Sequence, residues 1–106
     1  LEAIEEEMVN YYRSVYGDSI DTIILYGSYA RGDYSDDSDI DITAIVRGNR
    51  VELQKKLKKM WDFSTEVGLA YDVIVSPTVI PYDEFEQYKE KLPYYRNIVK
   101  EGRKIG

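Results

Sequence analysis

Gly27 and Ser28 close an apolar run, and after ten intervening residues the pair Asp39-x-Asp41 opens another. A glycine lets backbone come close to a phosphate, and the amides that start a helical turn attract its negative charge. Ser28 adds a hydroxyl, and Arg31 follows one turn later. Two carboxylates spaced i, i+2 on a strand project from the same face, where they repel unless a cation or a proton intervenes. Their oxygens suit a hard cation such as magnesium, which uses one or two carboxylates together with substrate phosphates. A phosphate turn and a metal pair at this separation suggest metal-assisted nucleotidyl transfer.

A third acid on a neighbouring strand would complete the cluster. Asp72 is the best candidate, because it interrupts the otherwise apolar run Tyr71-Asp72-Val73-Ile74-Val75. The competing reading makes it an edge-strand acid facing water. For Arg31 the alternative to a phosphate contact is a surface ion pair with Asp33 or Asp36. Tyr29 and Tyr34 could flank a nucleotide, and Tyr94-Tyr95 is the first place to look for a protein interface, where tyrosine is enriched.

The elements that must position these groups follow from periodicity. Ile4, Met8, Tyr11, Tyr12 and Val15 recur at helical spacing and predict a first helix that stops at Gly17-Asp18. Thr22 to Tyr26 reads as a covered strand, Ser28 to Gly32 as a helical turn, Asp33 to Ser38 as a polar loop and Asp39 to Val46 as a second strand. Arg47-Gly48-Asn49 is a turn with Asn49 as N-cap. A helix is expected over Val51 to Val67, with Leu53, Leu57, Met60, Trp61 and Val67 inward, Lys55, Lys56, Lys58 and Lys59 mostly outward, and Gly68 as its stop. Tyr71 to Val75 is expected as a third strand, Pro77 and Pro81 as the brackets of a loop, and Asp83–Lys91 and Tyr94–Glu101 as two short helices broken by Pro93. The order predicts an α+β fold with a small mixed β-sheet and helices packed mainly on one face, with residues 1–106 as a single domain.

Composition narrows the chemistry. The 106-residue chain has neither cysteine nor histidine. That excludes disulfides, thiolate metal sites, His-ligated zinc and Ser-His-Asp catalysis. Carboxylates, hydroxyls, Lys, Arg and backbone must do the work. The net charge is −6, and five acids (Asp33, Asp36, Asp37, Asp39, Asp41) fall within nine residues. Such acidity argues against a nucleic-acid partner held by charge, since that binding needs Lys and Arg on phosphates, whereas a bound cation would relieve it. No apolar stretch has membrane-spanning length and no secretory signal is visible, so a cytoplasmic protein is expected. Two rival motifs fail on spacing. No Gly-Lys-Ser/Thr exists for a P-loop, and an EF-hand loop starting at Asp37 would need Gly and Glu where Ile42 and Gly48 stand.

Gly27-Ser28, Ala30-Arg31-Gly32, Ser38-Asp39-Ile40-Asp41 and the closing segment Tyr95 to Gly102 resemble the minimal nucleotidyltransferase domains of the DNA polymerase β-like superfamily. The resemblance implies a polymerase β-like nucleotidyltransferase fold. It implies a catalytic, metal-binding triad of Asp39, Asp41 and Asp72 holding Mg2+, as a pair of ions, with Gly27, Ser28 and Arg31 at the triphosphate of ATP. It also implies a partner. Many such domains are antitoxins of HEPN-domain ribonuclease toxins and transfer AMP to a tyrosine of the toxin. Two other outcomes stay open: a non-catalytic antitoxin that acts by binding alone, and nucleotidyl transfer to a small molecule.

Overall fold

The computed structural model describes residues 1–106. The first helix, α1 (Glu2–Tyr16), buries Ile4, Met8 and Tyr12 on one stripe and ends at Gly17, whose φ of 61° side chains rarely adopt. Strand β1 (Ile20–Tyr26) follows, then the single turn α2 (Ser28–Arg31), strand β2 (Ile40–Val46) and the long helix α3 (Arg50–Tyr71). The Asn49 side chain caps α3 by accepting from the amides of Val51 at 2.9 Å and Glu52 at 3.4 Å. Strand β3 (Val75–Pro81), helices α4 (Tyr82–Tyr88) and α5 (Pro93–Glu101) and the two-residue strand β4 (Arg103–Lys104) complete the chain.

The sheet has the order β3-β2-β1-β4. β1 runs antiparallel to β2 and β4, while β2 and β3 are parallel, and α3 is the crossover that a parallel pair requires. One face carries the larger core. Ile23, Leu25, Ile40, Ile42, Val75 and Val79 pack there against Met8 and Tyr12 of α1 and Leu53, Leu57 and Met60 of α3. On the other face Ile24, Ile45 and Ile80 meet Phe85 of α4 and Tyr95 and Ile98 of α5. Tyr12, fully buried, donates its hydroxyl proton to the Thr78 carbonyl at 2.8 Å and so ties α1 to the far strand. The mixed α+β architecture with helices mainly on one face is as expected, and no helix is long and apolar enough to cross a membrane.

Four local expectations need correction. Helix α3 does not stop at Gly68 but continues to Tyr71, and Asp72 caps it in the left-handed region at φ 57°. Gly68 is buried inside the helix for a different reason: a Cβ there would lie 2.5 Å from the Val73 carbonyl oxygen, where the chain turns back. The third strand therefore begins at Val75 rather than Tyr71. It runs through Pro77 and Pro81, which were expected to bracket a loop. β3 is a sheet edge, the place where a residue without an N–H is tolerated. Finally, Trp61 is 44% exposed rather than inward, and Ser64 takes a buried place on that helix.

Candidate active site

Strand alternation decides what surrounds the carboxylates. Ile40 and Ile42 enter the main core, so Asp41 projects from the opposite face, half-buried, at the end of the sheet. Its cross-strand neighbours are Tyr26 on β1 and Ser76 on β3. Asp39 lies just before β2 and is exposed. The Asp41 carboxyl is pushed up from its ordinary range, first by burial and then by the charge of Asp39, with the Arg31 guanidinium opposing both. The three groups thus feel one another.

Gly27 joins the turn to this pair. It sits at φ 77° between β1 and α2, and a Cβ built on it would lie 2.6 Å from Asp41 Oδ2. Only a residue without a side chain lets the carboxylate lie against the turn. The Gly27 carbonyl accepts from the amides of Ala30 and Arg31, both at 3.1 Å, which closes the turn, and Gly32 ends it at φ 87°. Ser28 and Tyr29 occupy the first two helical positions, where amides have no acceptor within a helix.

Arg31 forms the ion pair of the alternative reading, with Asp33, Nε to Oδ2 at 3.2 Å, and a second one that neither reading included: Nη1 to Oε2 of Glu101 at 3.0 Å. Glu101 ends α5, and Gly102 after it lies close against the Ile98 carbonyl, with room for no side chain. β4 then pairs with Ile24 and Leu25, and Arg103 reaches Glu5 at 2.8 Å. These anchors hold Glu101 over the turn. Sequence reasoning missed it; the one signal was its place in the closing Glu-Gly.

Asp72 is not brought to the pair on a strand. It stands exposed at the end of α3 and shares with Asp39, Asp36, Asp37 and Trp61 the rim of a cleft of about 510 Å3. No three carboxylates converge closely enough to hold an ion. A larger cleft of about 710 Å3 lies beside α5, near Asp21, Lys89, Arg96 and Lys100, and includes none of the expected site residues.

Hydroxyls crowd the sheet face beside Asp41. Tyr26 and Tyr94 share a hydrogen bond at 2.8 Å, and burial, reinforced by Tyr94, pushes the Tyr26 phenol up so that it stays protonated. Thr43, the next residue of β2 on this face, is fully buried and its Oγ1 has no partner. Tyr94 itself is 47% exposed, so the tyrosine singled out as an interface candidate stands at the side of the site. Tyr29 and Tyr34, both in the segment between Ser28 and Asp39, stack on each other with ring centroids 4.2 Å apart.

Comparison with known proteins gives a consistent picture. The model of the nucleotidyltransferase domain family matches residues 4–105. A provisionally named protein adenylyltransferase of Methanocaldococcus jannaschii is 37% identical over 98 residues, covering 92% of this chain and 90% of that protein. A second such protein from the same organism is 35% identical over 78 residues, covering 67% of this chain and 77% of its own length. Among solved structures, a chain of a toxin–antitoxin complex with AMP-PNP superposes with a TM-score of 0.56 at 17% identity, over 95% of this chain and 72% of that one. A chain from the tri-AMPylated Shewanella oneidensis HEPN toxin in complex with its MNT antitoxin gives 0.56 at 15% identity, over 100% of this chain and 72% of that one. At such identities the structural matches speak for the fold.

Proposed function

Because the chain belongs to the nucleotidyltransferase domain family, we propose that it transfers AMP from ATP to a tyrosine hydroxyl of a partner protein, a HEPN-type toxin, and so acts as that toxin's antitoxin in the cytoplasm. The observation that carries this reading is the contact of Gly27 with Asp41. The glycine's bare Cα lets the phosphate turn and the carboxylate pair form one site. The two Methanocaldococcus relatives support protein as the acceptor class, and the toxin–antitoxin structures with AMP-PNP and with an AMPylated toxin support ATP and a toxin partner.

The residues present fit magnesium held by two carboxylates and the nucleotide's own phosphates, an arrangement common for this ion. Asp39 and Asp41 repel each other without a cation, and the orphaned Thr43 hydroxyl leaves a polar atom for an ordered water. When bound, the ion supplies positive charge at the α-phosphate and acidifies the attacking hydroxyl. The chain's own groups do the rest. Gly27 and Ser28 seat the triphosphate against backbone amides, and Arg31, braced by Glu101, adds positive charge beside them. The tyrosine oxygen bonds to the α-phosphorus in line with the bridging oxygen, whose bond breaks to release pyrophosphate. Asp41, half-buried against the turn, is placed to accept the proton. Asp72 takes a rim position.

The experiment is co-expression with a HEPN-type toxin, followed by intact-mass measurement of the toxin. A gain of whole AMP units that disappears with Asp41→Asn supports the reading. No gain with the wild-type chain overturns it. The lack of three convergent carboxylates favours one alternative, neutralisation by binding alone. Toxin silencing that survives Asp41→Asn, with no AMP on the toxin, establishes that alternative.

A further inference from the structure

We propose that Ser76 supplies the third protein oxygen of the divalent-cation centre, in the place where a carboxylate from the neighbouring strand was expected. The inference rests on reading Asp39 and Asp41 as a cation-binding pair. β2 and β3 are parallel, and Asp41 is paired with Ser76 in their register. Val75 and Val79 enter the same core as Ile40 and Ile42, so Ser76 stands on the same face as Asp41, directly beside it. The position is only partly covered, and Thr78, the next residue on this face, carries another hydroxyl.

Asp72 cannot take this place without unwinding the end of α3. It lies four residues before Ser76, fixed in the left-handed cap at φ 57°, and the following Val73 amide is held by the Gly68 carbonyl at 3.0 Å. The chemistry favours the hydroxyl as well. A serine or threonine oxygen is an established donor to magnesium beside nucleotide phosphates. A third carboxylate would add to the repulsion between the two already there, whereas a neutral oxygen does not. With only two negative donors, the free protein holds the ion weakly and the triphosphate supplies most of the remaining ligands, so cation and nucleotide bind together.

The test is a Mn2+ titration followed by electron paramagnetic resonance, with and without an ATP analogue whose α,β-bridge is a methylene. Wild type, Ser76→Ala, Ser76→Asp, Asp72→Asn and Asp41→Asn are compared, each first checked for a native circular dichroism spectrum. Ser76→Asp is expected to tighten Mn2+ in the nucleotide-free protein about tenfold, because affinity follows the ligand charge count. Ser76→Ala is expected to weaken the nucleotide-bound ion several-fold, and Asp72→Asn to leave both states within about twofold of wild type. Unchanged binding in both Ser76 variants overturns the proposal, as does a loss in Asp72→Asn equal to that in Asp41→Asn. If Asp41→Asn itself binds like wild type, the cation-pair reading falls and the Ser76 proposal falls with it.

Discussion

Asp41 carries a cost in the free protein and, on the proposed reading, a function in the bound one. Burial and the neighbouring Asp39 raise its carboxyl above the ordinary range in the folded state, so the native protein binds that proton more tightly than the unfolded chain does. The stability linked to this proton is complete below the unfolded value and is lost as the pH rises through the raised one. Asp41→Asn keeps the neutral shape. It is expected to melt higher than wild type at neutral pH, with the gain shrinking as the pH falls into the carboxylate range, while AMP transfer drops on the order of a hundredfold or more. Melting curves across that range and a transfer assay check both halves. Two glycines separate backbone strain from crowding. Gly27 and Gly32 both sit at positive φ, but a Cβ at Gly27 meets Asp41 whereas one at Gly32 meets nothing within 4 Å. Each Gly→Ala change is expected to cost roughly 1–3 kcal/mol through strain, measured by denaturant unfolding. Only Gly27→Ala should also abolish transfer.

At the scale of elements, the closing segment does more than finish the sheet. Gly102 packs where a Cβ would come 2.5 Å from the Ile24 Cγ2. Gly102→Ala is expected to destabilise by about 1–3 kcal/mol and to shift Glu101 away from Arg31. Glu101→Gln should leave the melting temperature nearly unchanged, since an exposed ion pair contributes little, but raise the KM for ATP more than it lowers kcat. Equal loss in both constants would contradict a positioning role. The sequence already showed β1, the Gly-Ser turn, β2 and the Asn49 cap, because each rests on local pattern: apolar runs, a glycine where backbone must turn, an amide side chain before a helix. It failed after Val67. Gly68 resembles a helix stop, but its function is close approach of the returning chain, and the true cap is a non-glycine residue at positive φ. That four-residue shift placed Asp72 on a strand and hid Ser76, whose proposed role rests on its register with Asp41. Local pattern offered little for Glu101, because its partner Arg31 is 70 residues away.

The whole molecule is small, 35 × 28 × 18 Å, with the carboxylate pair at the end of the sheet rather than deep in a cavity. Asp39 is exposed and Asp41 only half covered, so an acceptor as large as a folded protein can reach the site. On the proposed reading, the same openness makes the acceptor's own surface part of the environment in which the transfer runs. Which part of ATP is transferred distinguishes this account from every neighbouring one. The direct measurement incubates the chain with a HEPN-type toxin, the proposed partner, and ATP labelled either at the α- or at the γ-phosphate, and follows label on the partner. The account predicts that α-label is retained on a tyrosine of the partner, that γ-label is not, and that Asp41→Asn retains neither. Retention of γ-label, or no label from either nucleotide with the wild-type chain, would contradict it.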